Sequence, residues 1–333
     1  MKSHSCLPSI SRFVCAAGVT AFFAATALGQ RLPPTATRAA DEPMTIAVNK
    51  KQGELEIQYR NQRLLVYAFS PGQFKPYVRE LYTLHGENVL RDAPSDHLHH
   101  HGLMYAVKVN GENFWEEADK PGVEKSINLF EHKIGKSATG QPQAEFTQLI
   151  HWLTFTNRNV VDSDRAALMI ETRRLTLTVD ETNQEVALEW RSQFQVGDKV
   201  EKLKLHGTQY NGLGFRMPKS CDLVAHFQNS KQASYPGADS RDVIAANWSS
   251  VSGPIDGQNV MAVLFSGGAN AGTNRFFSLA KPFAYLSATQ GLDLQPIEVS
   301  AGDHWVLSYL LTVYPQQKSR EFIEQRYSQW SNK

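Results

Sequence analysis

The chain is poor in several things at once, and each shortage excludes a class of protein. Three cysteines occur in 333 residues, and two of them, Cys6 and Cys15, fall in the N-terminal leader described below. A processed chain would keep only Cys221, so no internal disulfide can staple the fold and core burial has to hold it. Cys221 is expected to be a buried small hydrophobe rather than a nucleophile. Charge of either sign is not in excess: the formal net charge is +1, and no Lys/Arg-rich run appears. That excludes the electrostatic footprint of nucleic-acid binding or of an anionic membrane surface. No P-loop and no Gly-x-Ser-x-Gly elbow is present, so nucleotide hydrolysis and serine-esterase chemistry lack support. No repeat of fixed period suggests a propeller or solenoid. Beyond the leader, no run is long and apolar enough to reach the ~20 residues of a spanning helix.

The leader itself combines Lys2 and Arg12 with an uncharged run from Phe13 to Gly29 that ends in Ala27-Leu28-Gly29. Small residues at the positions a signal peptidase reads predict a signal peptide over 1–29, cleaved before Gln30, and hence a periplasmic or secreted protein. Residues 30–43, QRLPPTATRAADEP, read as a Pro/Ala/Thr-rich linker. Residues 44–333 then form a single domain.

With 41% hydrophobic and 20% charged residues the composition is that of a globular domain with a large core. The signal within it is short alternation. Leu55, Ile57 and Tyr59 alternate with polar residues, as do Leu103, Tyr105, Val107 and Val109 ahead of a hairpin signal at Asn110-Gly111. Runs at 146–156, 166–179, 185–196, 200–205, 261–265, 276–279, 283–287 and 305–313 are rich in β-branched and aromatic residues. Only residues 318–330 show helical spacing, with Phe322, Ile323, Tyr327 and Trp330 on one face. Many strands, one terminal helix and no βα alternation predict an all-β protein: a large antiparallel β-sandwich with one C-terminal α-helix.

The chemistry concentrates between Asp92 and Trp115. Four of eleven histidines stand in five residues, His97, His99, His100 and His101, behind Asp96 and ahead of Gly102. Imidazole titrates near neutrality and is the commonest metal ligand, so the cluster points to a divalent-metal site or to metal-free acid–base work. On an extended segment His97, His99 and His101 share a face; in a turn, His99 and His100 converge. His132, His151, His206, Asp96, Glu116 and Glu117 are the candidate further ligands. Trp115 is a candidate stacking surface for a sugar. Glu116 and Glu117, being adjacent, are poor partners for joint action on one glycosidic bond. In Tyr210-Asn211-Gly212-Leu213-Gly214-Phe215-Arg216 a glycine bend would aim Tyr210 and Arg216 into a pocket. The segment SGGANAGTN, residues 266–274, reads as a flexible loop.

Several blocks together resemble a known family. Lys75-Pro76-Tyr77, Leu81-Tyr82, Asp96-His97-Leu98-His99-His100-His101-Gly102, Val109-Asn110-Gly111, Phe114-Trp115 and Tyr210–Met217 are similar, over roughly residues 44–315, to the bacterial family labelled PmoA-like or "methane oxygenase PmoA". That family's motif reads Asp-His-Pro-His-His-Arg-Gly, so His97, His99 and His100 carry over, whereas Leu98 and His101 stand where it has Pro and Arg. The Asp-His-Pro block common in relatives has no counterpart near residues 264–270. The resemblance implies an exported β-rich protein akin to the sandwiches of sugar mutarotases and polysaccharide lyases. The expected function is a carbohydrate-active enzyme, a lyase or hydrolase acting on a glycoside or oxidised sugar. His97, His99 and His100 would serve as metal ligands or as acid and base, Tyr210 would protonate a leaving oxygen, Lys75 and Arg216 would hold a carboxylate or enolate, and Trp115 would stack on the sugar. The alternatives are a non-catalytic glycan-binding protein and the copper-dependent oxidation the family label names. Carbohydrate or another small molecule is the expected partner.

Overall fold

Two broad antiparallel sheets face each other across the core, with a small third sheet beside them. The computed structural model describes residues 43–231 and 241–332. The leader, and the linker up to residue 42, lie outside the described residues. In spatial order, the nine-stranded sheet contains Met44–Asn49, Glu54–Tyr59, Gln62–Ala68, Tyr77–Leu81, Leu103–Ala106, Gly212–Arg216, Tyr285–Ala288, Arg275–Leu279 and Arg241–Ala245. The eight-stranded sheet runs His226–Asn229, Trp248–Ile255, Gln258–Ser266, His304–Tyr314, Glu185–Val196, Met169–Asp180, Pro142–Leu153 and Val123–Lys136. The third joins Ile297–Ser300, Lys202–His206, Lys108–Val109 and Glu112–Asn113. The all-β sandwich expected from alternation is the observed fold. Among the described residues no helix is long and apolar enough to cross a membrane.

The period-2 pattern acts as expected. In Glu54–Tyr59 the buried positions are Leu55, Ile57 and Tyr59, which join one large core with Trp152, Trp190, Phe194 and Leu213. The Asn110-Gly111 turn, with both residues at positive φ, closes the short hairpin of Lys108–Val109 and Glu112–Asn113. The C-terminal helix spans Arg320–Ser331. Ser319 caps it by accepting from the Phe322 N–H at 3.2 Å, and Ile323 and Trp330 pack with Trp248, Phe265 and Tyr314 on the outer face of the eight-stranded sheet. Cys221 is buried, and burial pushes its thiol up to about 11, which fits an inert side chain.

One feature of the core departs from apolar patterning. On the inward face of Met169–Asp180, two positions are Glu171 and Arg173, both fully buried. The Arg173 guanidinium grips Glu171 at 2.7 and 2.9 Å. It also donates to the Pro76 carbonyl at 2.8 Å and the Tyr67 hydroxyl at 3.2 Å, reaches Glu124 at 3.3 Å, and lies 4.4 Å over the Trp190 ring. Trp152 Nε1 and Ser192 Oγ donate to the other side of Glu171. Tyr67 and Pro76 belong to the opposite sheet and its adjoining loop, so the guanidinium bridges the sandwich. Removing one partner of such a pair leaves a buried, uncompensated charge, at a cost of about 3–5 kcal/mol. Arg173→Met is therefore expected to lower unfolding free energy by about that amount, read from urea denaturation followed by circular dichroism; a loss within experimental error would show that the bridge is dispensable.

Candidate active site

The histidines sit on a folded turn rather than an extended strand. Between Tyr77–Leu81 and Leu103–Ala106, the His97 N–H donates to Pro94 O at 2.9 Å and the His100 N–H to His97 O at 3.0 Å, giving two successive turns. Ala93 N–H closes the loop on His100 O at 2.9 Å. Gly102 ends it at φ +37°, where a Cβ would lie 2.1 Å from the Val78 carbonyl, so only glycine lets the chain return against the neighbouring strand.

This geometry gathers the rings. His97 and His100, three residues apart across one turn, stack at 4.7 Å and 18°, while His99 meets His100 edge-on at 4.6 Å. Phe283 and Tyr285 pack on His100 at 5.4 and 5.5 Å, and Trp115 lies 5.6 Å from His99 and 5.7 Å from His100. Together they open onto a cleft of about 760 Å³ lined by His97, His99, His100, Trp115, Tyr210, Arg241, Leu279, Lys281, Pro282 and Phe283. All of the residues expected to act as acid or base thus line one cleft, as does Trp115. Tyr210 is placed by packing on Phe277 at 4.7 Å, next to Gly212, whose φ of +101° bends the strand start beside Ala288.

Four expectations are corrected. First, Lys75 is not in the cleft. Its amine is buried beneath the floor and donates to the carbonyls of Phe114 at 2.5 Å and Trp115 at 3.1 Å. Burial lowers it to about 8. It therefore seats Trp115 instead of holding substrate. Second, Arg216 does not line the cleft either. It is buried behind Phe283, 4.0 Å over that ring, and pairs with Asp96 at 2.9 Å and Asp222 at 3.5 Å. Its Nε and Nη1 have no hydrogen-bond partner among the described residues. Third, His97, His99 and His100 are not arranged as metal ligands. Among the described residues no group of three or more His, Cys, Asp or Glu side chains is disposed to hold a metal ion. Chelation needs ring nitrogens converging at about 2 Å on one point, and the stacked His97 and His100 rings present faces to each other, while His99 meets both edge-on. Of the further ligands considered, His151 is engaged with Ser163 and Asp164. Fourth, His101 is not incidental. It points away from the cleft and is bracketed by Glu117 at 2.7 Å and Asp92 at 3.3 Å.

Electrostatics follow from these positions. Burial, aided by His99, His97 and Arg216, pushes His100 down to about 3, so it is neutral. Burial also lowers His99 from its usual 6.5, against the pull of Glu116 at 3.9 Å. His101 goes the other way: burial opposes its charge, but the hydrogen bonds with Asp92 and Glu117 outweigh that and raise it. Asp96 is held well below the usual carboxylate range, chiefly by its hydrogen bond from Arg216. Nothing local marks Arg241, Leu279, Lys281, Pro282 and Phe283 as site residues, although 276–279 and 283–287 read as strands; the pairing of those strands brings them to the histidines.

The chain matches a Family of unknown function (DUF6807) over residues 54–328 and belongs to that family. This match, which covers most of the chain, overturns the resemblance to the PmoA-like family, which rested on a few short His, Gly and aromatic blocks, and with it the copper-dependent oxidation drawn from that label. No curated protein matches the chain. Among solved structures it is similar to a GH36 α-galactosidase from Geobacillus stearothermophilus, at 10% identity and a TM-score of 0.46 over 82% of this chain and 41% of that one. An α-galactosidase from Lactobacillus brevis gives 8% and 0.44 over 81% and 39%. A galactose mutarotase related enzyme from Lactobacillus acidophilus gives 8% and 0.39 over 83% and 99%. The chain thus spans about two fifths of the length of the α-galactosidases it matches.

The Lys75 seat can be tested directly. Lys75→Met removes the donor to the buried Phe114 carbonyl and the half-buried Trp115 carbonyl, and leaving a buried acceptor unpaired costs about 1–3 kcal/mol. Reduced stability together with greater acrylamide quenching of Trp115 is expected. Unchanged quenching would mean that the amine does not seat this ring.

Proposed function

We propose that the cleft binds a sugar carrying a carboxylate and that the protein is a carbohydrate-active lyase. The observation that supports this most is the make-up of the wall. Three imidazoles, a partly exposed Trp115, Tyr210 and two cations, Arg241 and Lys281, line it, and among the described residues no carboxylate is in the lining. Aromatic rings suit the apolar face of a pyranose. The cations suit its anionic group. Hydrolysis with paired carboxylates needs an acid on each side of the scissile bond, which the described residues of this wall do not offer, so we favour elimination over hydrolysis.

In that reaction His99, neutral and oriented towards Glu116, takes the proton from the carbon bearing the carboxylate. The electron pair left behind forms a carbon–carbon double bond as the bond to the β-oxygen breaks. Tyr210 delivers a proton to the departing oxygen, and Arg241 and Lys281 offset the charge that builds on the carboxylate. His100 is too weakly basic to be the base; it acts as a neutral hydrogen-bonding neighbour.

Incubation with polygalacturonate or polymannuronate is expected to raise ultraviolet absorbance from the unsaturated product. His99→Ala and Tyr210→Phe should each slow this by about 10²–10⁴-fold, with the melting temperature little changed. Binding of both polymers without turnover would sink the lyase reading and leave a glycan-binding protein. The pH profile gives an independent check. Because His99 must be unprotonated and burial lowers its pKa, activity should be lost on acidification with a midpoint below 6.5. A midpoint above that value would assign the base elsewhere.

A further inference from the structure

We infer that His101 is the positioning residue of this site, fixing the wall that carries Trp115 to the turn that carries the catalytic imidazoles. The wall needs such a tie. The strand Glu112–Asn113 ends before Trp115 and the next, Val123–Lys136, begins after it, so residues 114–122 have no strand ladder. Their backbone is held at the two ends, by Phe114 N–H on Val107 O at 3.1 Å and Gly122 N–H on Asn113 O at 3.0 Å, and from below by Lys75. Trp115 N–H is held locally by Asn113 at 2.9 Å. Against the histidine turn itself, the tight contact is His101 Nε2 to Glu117 Oε1 at 2.7 Å. The other ring nitrogen faces Asp92 Oδ1 at 3.3 Å, and the Tyr77 hydroxyl donates to Asp92 Oδ2 at 3.1 Å while its ring packs 4.8 Å from the imidazole.

Tyr77 is in the nine-stranded sheet, so the series Tyr77–Asp92–His101–Glu117 runs from rigid strand to unladdered wall. Neighbouring positions divide the work. His100 turns into the cleft, His101 turns out, and the adjacent acids Glu116 and Glu117 face His99 and His101 respectively. A ring bonded at both nitrogens to carboxylates is fixed in orientation and holds both acids in place. The raised pKa of His101 agrees with this bracket. The consequence for ligand binding rests on the reading of the cleft as an acid-sugar site; the consequence for Trp115 does not.

Two readouts separate these. Trp115 is partly exposed whereas the other five tryptophans are buried, so acrylamide quenching reports on it selectively. Galacturonate binding, measured by calorimetry, reports on the cleft. His101→Ala is expected to increase quenching and to weaken galacturonate binding about tenfold or more, because small misplacements of a site wall are costly. His101→Arg, a permanent cation with several donors, is expected to restore much of both. Glu117→Gln alters a half-exposed carboxylate and should reproduce the alanine effects without threatening the fold, so it decides the matter if His101→Ala does not fold. Quenching that stays at the wild-type level in the folded variants overturns the proposal. So does weakened galacturonate binding with unchanged quenching, which would mean that His101 touches the ligand itself. If the wild-type protein fails to bind galacturonate while the variants still change the quenching, the acid-sugar reading fails and the positioning role stands.

Discussion

The site depends on a charge buried far beneath it. Arg173 cannot be solvated where it lies, so it must be satisfied by protein, and its donors are shared between two sheets: Glu171 on its own strand, Tyr67 and Pro76 across the sandwich. Charge-assisted bonds of this kind are directional as well as strong, so they fix the loop after Gln62–Ala68 in one place. Lys75 is the residue before Pro76. Fixing Pro76 therefore aims the Lys75 amine at the carbonyls of Phe114 and Trp115, and Trp115 becomes one side of the cleft. An apolar core of the same volume could stabilise the sandwich, but it would not transmit position in this way.

Above that base the cleft is built from ring packing more than from hydrogen bonds. His97, His100, Phe283 and Tyr285 pack within 5.5 Å of one another along the series His97–His100, His100–Phe283 and His100–Tyr285. This packing has a chemical result. An imidazole enclosed by aromatic faces and other imidazoles loses solvent and gains no counter-charge, so its protonated form is disfavoured. His101, one residue further on, meets two carboxylates and shifts the opposite way. Adjacent residues of the same type are thus set to opposite protonation behaviour by the two sides of one turn.

Much of this was legible in the sequence, though unevenly. Strand Glu185–Val196 is where alternation placed it, and the fold class followed from such runs. Met169–Asp180 begins later than its run suggested because Ser163–Ala166 coils into a short helical turn capped by Asp162. Val123–Lys136 left no signal: it is a sheet edge, mostly exposed, so its composition answers to water more than to a core. The histidine turn, Trp115 and Tyr210 were visible through local density of unusual side chains. Arg241, Lys281 and Phe283 were not, because they arrive through the pairing of Tyr285–Ala288 with Gly212–Arg216 and of Arg275–Leu279 with Tyr285–Ala288 and Arg241–Ala245. The roles of Lys75 and Arg216 were misassigned for a related reason. A sequence shows that a cation is near a motif, but not which side of a wall it occupies.

The same partition explains the charge of the cleft. Several acids lie close to the histidines, and most are drawn to basic groups outside the wall. Asp96 is taken by Arg216, Asp222 by Arg91 and Arg216, and Asp92 and Glu117 by His101. Two also face cleft imidazoles, Asp96 beside His97 at 3.2 Å and Glu116 beside His99 at 3.9 Å. Arg241 and Lys281 thus line the cleft with no carboxylate beside them among the described lining residues. Had the acids lined the cleft, they would have neutralised those cations, raised the imidazole pKa values and repelled an anionic ligand. Pairing most of them behind the wall leaves His100 neutral and the two cations free of lining carboxylates, the combination that the proposed proton abstraction next to a carboxylate requires.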